Sequence, residues 1–256
     1  MKEGPLTTSP SYQRTPFLFQ AGASSAGKAF ATKHAECMFL PGLEPARTRE
    51  LVEDIRKRTA GNGRNPDNLK LIAGVLIIVD ETDEKAQAKY QDYLSYADYE
   101  GTLSLFSGWL NTDLSQWDDD DENFRFTGPG GIQSMVTSWS ATIPGTENVK
   151  WTKRRIVQEL AIGGAHPRAI GSPKTVADIL QKWIDEAGID GFNISYAVSP
   201  GDFQDIVKWL LPELRTRGVF WNDYAAPTAR ENFLGDGLGP RLRDDHPGSK
   251  YKWAAE

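Results

Sequence analysis

One cysteine in 256 residues leaves no partner for an intramolecular disulfide, so Cys37 cannot staple the fold. It stands in the apolar run Cys37-Met38-Phe39-Leu40 and reads as a small core residue. Positive charge is also short: the formal net charge is -6 and the isoelectric point near 5.2. A chain of that sign is poorly suited to neutralising a phosphate backbone over a wide surface, which excludes nucleic acid as the expected partner. Apolar runs of about 18 residues are missing, and Met1-Lys2-Glu3-Gly4-Pro5 leads into nothing like a signal sequence. The expectation is a soluble, cytoplasmic protein with no membrane partner. What is present is a globular composition, 39% hydrophobic and 11% aromatic, enough for one sizeable core with appendages.

The most informative stretch is Phe17-Leu18-Phe19-Gln20-Ala21-Gly22-Ala23-Ser24-Ser25-Ala26-Gly27-Lys28. It reads as a strand covered on both faces, passing through small residues straight into a helix. Ser24 or Ser25 is a good N-cap for the amphipathic segment Ala26 to Glu36, with Ala26, Ala29, Phe30 and Lys33 on one side. Such a turn directs backbone N–H groups and a hydroxyl at one spot, where an anionic phosphate is favoured. A plain strand-to-helix turn with no ligand fits the spacing as well.

A βαβα order follows. A strand at Cys37 to Leu40 precedes a charged helix around Glu44 to Thr59, with Leu51, Val52 and Ile55 on its apolar side. After the turn-rich Gly61 to Asn68 comes the longest apolar run, Leu69 to Val79, a fully buried strand by its Ile and Val content. Acidic residues then open a helix running to Tyr96. Residues 99–153 break the rhythm and read as an insertion. Their run Asp118-Asp119-Asp120-Asp121 lacks the alternating spacing of a calcium loop and is expected as a solvated loop, with no metal. A helix from Thr175, a strand over Ile189 to Tyr196 and a helix from Pro200 to about Arg217 complete the pattern, and residues 219–256 form a polar tail. The fold class is α/β, with four strands of parallel type near residues 17, 37, 71 and 190. A complete (β/α)8 barrel takes about 250 residues and twice that number of strands.

Several segments, in this order along most of the chain, resemble the bacterial-luciferase-like flavin monooxygenases, in the branch of nitrilotriacetate and dibenzothiophene-sulfone monooxygenases. They are Phe19 to Ser24, Leu76 to Ala86, Gly171 to Asp178, Asp190-Gly191-Phe192 and Leu211 to Gly218. The resemblance implies a partial (β/α)8 TIM barrel, a single incomplete domain over 1–256 that aligns with the family's C-terminal half. It implies reduced FMN, supplied by a separate flavin reductase, reacting with O2 to oxygenate a small organic substrate. It carries FMN phosphate binding onto Gly22, Ala23, Ser24 and Ser25.

No catalytic residue transfers, because the family's ring contacts come largely from strands that precede this region. His166, in Gly163-Gly164-Ala165-His166-Pro167, is expected in a surface loop, with lining of the substrate side as the alternative. His34 and His246 read as structural or solvated. Four units cannot close a barrel, so the outer strands are expected to offer open edges. Activity alone would be absent or impaired, and the chain would form a homo-oligomer or pair with a complementing N-terminal half. The alternatives are a catalytically inert interaction or regulatory subunit and, within the enzyme class, a deazaflavin in place of FMN.

Overall fold

The structure, a computed structural model, describes residues 8–9, 11–42, 44–121, 135–136, 139, 143, 148–235 and 237–251. Five parallel strands form one sheet: β1 (Phe19–Ala21), β2 (Cys37–Leu40), β3 (Lys70–Val79), β4 (Arg168–Gly171) and β5 (Gly191–Ser195). Strand β3 is the hub. Its even-numbered peptides serve one edge: Lys70 N–H donates to Glu36 O at the start and Leu76 N–H to Pro167 O further on. Its odd-numbered peptides serve the other, where Asp190 N–H donates to Leu71 O. Strands β2 and β4 therefore follow one another along one edge of β3, and β5 takes the opposite edge.

The expected strands near 37, 71 and 190 are β2, β3 and β5. Strand β4 was not expected, because Arg168-Ala169-Ile170-Gly171 is too short to carry a periodic signal and gains strand geometry only by pairing with Leu76 to Val79. The opening strand differs from its expectation. β1 covers three residues, bonds among the described residues only to β2, and leaves Phe19 45% exposed. An edge strand is covered by fewer neighbours than its apolar content suggests.

Helices α1 (Ser25–His34), α2 (Pro45–Gly61) and α6 (Pro173–Ala187) cover one face of the sheet. Between them, α3 (Asp83–Ser95), α4 (Tyr99–Leu110) and α5 (Lys153–Ala161) follow β3. After β5 a continuous helix, α7, runs through Gly201–Asp205, a π-helical turn Ile206–Leu210 and Leu211–Thr216, and α8 (Ala229–Leu234) lies in the tail. Helix α1 turns the other way from the expected stripe. Ala31 and Thr32 are buried and Phe30 is exposed, because Ala31 belongs to the core cluster that holds Met38, Val52 and Ile55.

Residue pairing sorts the sheet into two faces. Met38, Leu71, Ala73, Val75 and Ile77 face α1, α2, α6 and α7 and are all buried. The opposite face, called inner here, carries in register Ala21, Phe39, Ile72 and Gly191, then Gly74 with Asn193, then Leu76 with Ser195. Leu76 and Ile78 are closed over by α4, α5, Trp139 and Trp151. Nearer β1 that face stays open, with Phe19 stacked on Phe39 and flanked by Phe17 and Phe233.

The tail is pinned by a buried ion pair. Arg230 Nε lies 2.6 Å from Glu36 Oε1, and its Nη2 donates to the carbonyls of Thr15 and Pro16. Glu36 also accepts the Leu18 N–H at 3.2 Å, so one carboxylate ties the approach to β1, the approach to β2 and α8 together. His246 is buried, with Nε2 against His34 O and Nδ1 accepting the Gly248 N–H, a structural role. The acidic run is exposed except at Asp119, which is half-buried and takes the buried Lys153 at 2.6 Å and the Tyr99 hydroxyl at 2.5 Å, while the exposed Asp120 takes Arg154 at 2.8 Å.

Candidate functional site

The C-terminal ends of parallel strands are where α/β folds place ligands, because the helices that follow present their N-termini there. At the end of β1 the chain turns at Gly22, whose φ of +105° lies in the region that only glycine enters freely. A Cβ there would meet nothing within 4 Å, so the space above Gly22 is open. Gly27 has the opposite reason for its identity: a Cβ would come within 2.3 Å of Gly22 O, so the helix start packs directly on the turn.

Ser24 is the N-cap. Its Oγ accepts the Gly27 N–H at 3.1 Å and its carbonyl accepts the Lys28 N–H at 2.8 Å. Ser25 and Ala26, as first-turn residues, have N–H groups without intrahelical acceptors. No acidic residue occupies the first turn of α1, and Lys28 is committed to Asp54 at 2.6 Å. The donor set at this turn is therefore backbone N–H, the Ser25 hydroxyl and the helix dipole. It suits a phosphate and gives a metal ion nothing to hold. A similar turn follows β4, where Ser172 caps α6; there the Ser172 N–H already carries the Asp83 carboxylate at 2.6 Å.

Gly22, Ala23, Ser24 and Ser25 thus stand together at the rim of the sheet, with Ala23 leaning on the helix-covered core. His166 does not sit on a surface loop. The segment Gly163 to Pro167 crosses the inner face: Gly163 lies on Leu76, the His166 ring on Gly74, and Pro167 against Gly42. A Cβ on Gly74 would come 2.3 Å from His166 Nδ1, which explains a glycine in the middle of a β-branched run. That interruption was the signal in the sequence, legible only once something is known to lie over it. Burial, aided by the positive charge of Arg168, holds the His166 imidazole below its ordinary pKa of 6.5, so the ring is neutral at pH 7.

Cys37 is fully buried, and desolvation, with Asp190 nearby, pushes its thiol up to about 12, so it is no nucleophile. Among the described residues no group of three or more His, Cys, Asp or Glu side chains could hold a metal ion. No helix among them is long and apolar enough to cross a membrane.

Comparison with known proteins supplies a family. The family profile of luciferase-like monooxygenases matches residues 2–191. The chain is 39% identical over 243 residues to the dimethyl-sulfide monooxygenase of Hyphomicrobium sulfonivorans, covering 95% of this chain and 50% of that protein. To the long-chain alkane monooxygenase of Geobacillus thermodenitrificans it is 38% identical, covering 97% and 51%. Nitrilotriacetate and dibenzothiophene-sulfone monooxygenases are further relatives. A solved riboflavin lyase, crystallised with modified FMN and riboflavin, superposes with a TM-score of 0.77 at 32% identity, over 99% of this chain and 56% of that one. The chain spans about half the length of the curated relatives it matches. A parallel α/β sheet, a glycine turn feeding a serine-capped helix and these similarities together place the chain in the luciferase-like monooxygenase family.

Proposed function

We propose that this chain forms the cofactor-phosphate side of a flavin-dependent monooxygenase that uses reduced FMN, delivered by a separate reductase, and O2 to oxygenate a small organic substrate. The observation that carries this reading is the turn after β1, where Gly22 at φ +105° opens space directly over the first N–H groups of a Ser24-capped helix. Bound reduced flavin supplies the oxygen chemistry. This chain's residues hold the phosphate: Ser25 and Ala26 present N–H groups, Ser25 a hydroxyl, and Ser24 fixes the helix start. The helix-covered face keeps water from the other side of the sheet.

In this reading β1, β2, β3 and β5 are four successive staves of a (β/α)8 barrel, within one domain over residues 1–256. Residues 99–153 are an insertion between staves and residues 219–256 a tail. Edges of β1 and β5 without strand partners among the described residues call for completion, by an N-terminal half or a second copy. A second reading, an inert interaction subunit that pairs through those edges with a full-length relative, is favoured by the exposed Phe19 at the open side. Turnover with a flavin reductase and no partner chain excludes it.

FMN fluorescence quenching tests the main reading. Ser24→Ala with Ser25→Ala is expected to weaken FMN binding by about tenfold, the worth of one or two hydrogen bonds to an anion. Equal affinity in both proteins, or none in either, removes the assigned role. Size-exclusion chromatography tests the edges: self-association supports them, and a compact monomer that unfolds cooperatively counts against them.

A further inference from the structure

The segment that crosses the inner face holds its backbone firmly and leaves one side chain uncommitted. Pro167 O accepts the Leu76 N–H at 2.9 Å, and His166 O accepts both Trp139 Nε1 at 3.2 Å and Arg168 Nη1. Gly164 N–H closes on Leu160 O at 3.1 Å. Among the described residues the His166 ring has no hydrogen-bond partner, although it is half-buried and its two nitrogens can donate and accept. A polar ring anchored by its backbone and set on a glycine is fixed in place without being satisfied.

Its surroundings are those of a ligand. Asn193 is the register partner of Gly74, so its side chain leaves the same inner face one strand away from the ring. Asn193 is exposed, and its amide makes no hydrogen bond among the described residues. Both lie one residue pair further toward the C-terminal rim than Ala21, Phe39 and Ile72, which is the level of the turn after β1. From β1 to β3 is two strand spacings, roughly 10 Å. A ribityl chain bridges such a gap. The Phe19 and Phe39 rings line the inner face between them, an apolar floor rather than a competing polar group.

The geometry points to His166, with Asn193 beside it, as the polar pair that meets the ring end of a flavin whose phosphate end rests on Gly22 to Ser25. This deepens the flavin reading and rests on it for the ligand's identity. The neutral imidazole offers one donor and one acceptor, and Asn193 an amide, which together match the alternating carbonyl and N–H groups on the edge of an isoalloxazine. Gly74 acts through His166: it is a positioning residue, because any side chain there displaces the ring.

Histidine-detected NMR tests this, since the chain has three histidines and His166→Gln identifies the resonance. Riboflavin, which lacks the phosphate, is expected to move the His166 ring signals and leave those of His34 and His246 in place. Inorganic phosphate is expected to move the Ser25 and Ala26 amides and leave His166 in place. Riboflavin affinity should fall about tenfold in His166→Ala, stay within about threefold in His166→Gln, and fall in Gly74→Ala although the histidine is retained. If phosphate moves the turn amides while riboflavin leaves His166 silent, the pair is overturned and the turn assignment stands. If riboflavin moves His166 while phosphate leaves the turn unmoved, the pair stands and the turn assignment fails. Silence of both under both probes overturns both.

Discussion

The two faces of one sheet have been put to different uses. On the helix-covered face Met38, Leu71, Ala73, Val75 and Ile77 are buried, each against a helix supplied by a neighbouring βα unit. On the inner face the sheet presents Phe19, Gly74 and Asn193, of which the first and last are exposed and the middle one is bare backbone under a histidine. Alternation along a strand thus sends neighbouring residues to faces with different cover. The lesson is that composition within a strand says little until its residues are sorted by parity.

Four substitutions and one condition sharpen that contrast. The largest effect is expected at the clamp that holds the tail to the inner side: Arg230→Ala leaves the Glu36 carboxylate buried without its cation and should cost about 3–5 kcal/mol in urea unfolding. A loss below about 1 kcal/mol would mean that the tail contributes nothing to the open face. Next, Leu71→Ala on the closed face should cost about 2–5 kcal/mol as a cavity, whereas Phe19→Ala on the open face should cost less than about half of that. Equal losses would erase the distinction between the faces. Ser24→Ala removes an N-cap and should cost about 1 kcal/mol of stability.

The smallest effect is in pH. Burial first, then Arg168, lowers the pKa of His166, and burial with Lys33 lowers that of His34. The unfolded chain therefore takes up these protons before the folded one does. The stability that comes from neutral rings is complete above about pH 6.5 and drains away as pH falls through 6.5 toward the lower folded-state values. Thermal unfolding between pH 7.5 and 5.5 should show a falling midpoint, with a shallower slope in His166→Gln. An unchanged slope would place the ring in solvent.

Much of the frame was readable from residues. Leu69 to Val79 announced a buried strand by Ile and Val content, and Thr175 to Ala187 a helix by its spacing of Val176, Leu180 and Trp183. The turn at Gly22 was readable because a positive φ, a serine cap and a following helix are all local demands. Strand β1 misled because Phe17, Leu18 and Phe19 look equally apolar, while only their place at the sheet edge leaves Phe19 open. The strand at Arg168 to Gly171 and the packing of His166 against the sheet were not foreseen for a shared reason: both take their places from β3, some ninety residues earlier in the chain.

The order of strands and helices, the glycine and serine of the first turn and the inertness of Cys37 as a core residue were set by the sequence on its own, since each follows from neighbours within a few positions. Which face stays open, where a fifth strand joins, and that a histidine rests on Gly74 were decided only in three dimensions. Those features depend on pairing between distant segments, and the burial that fixes them does not exist until the sheet has formed.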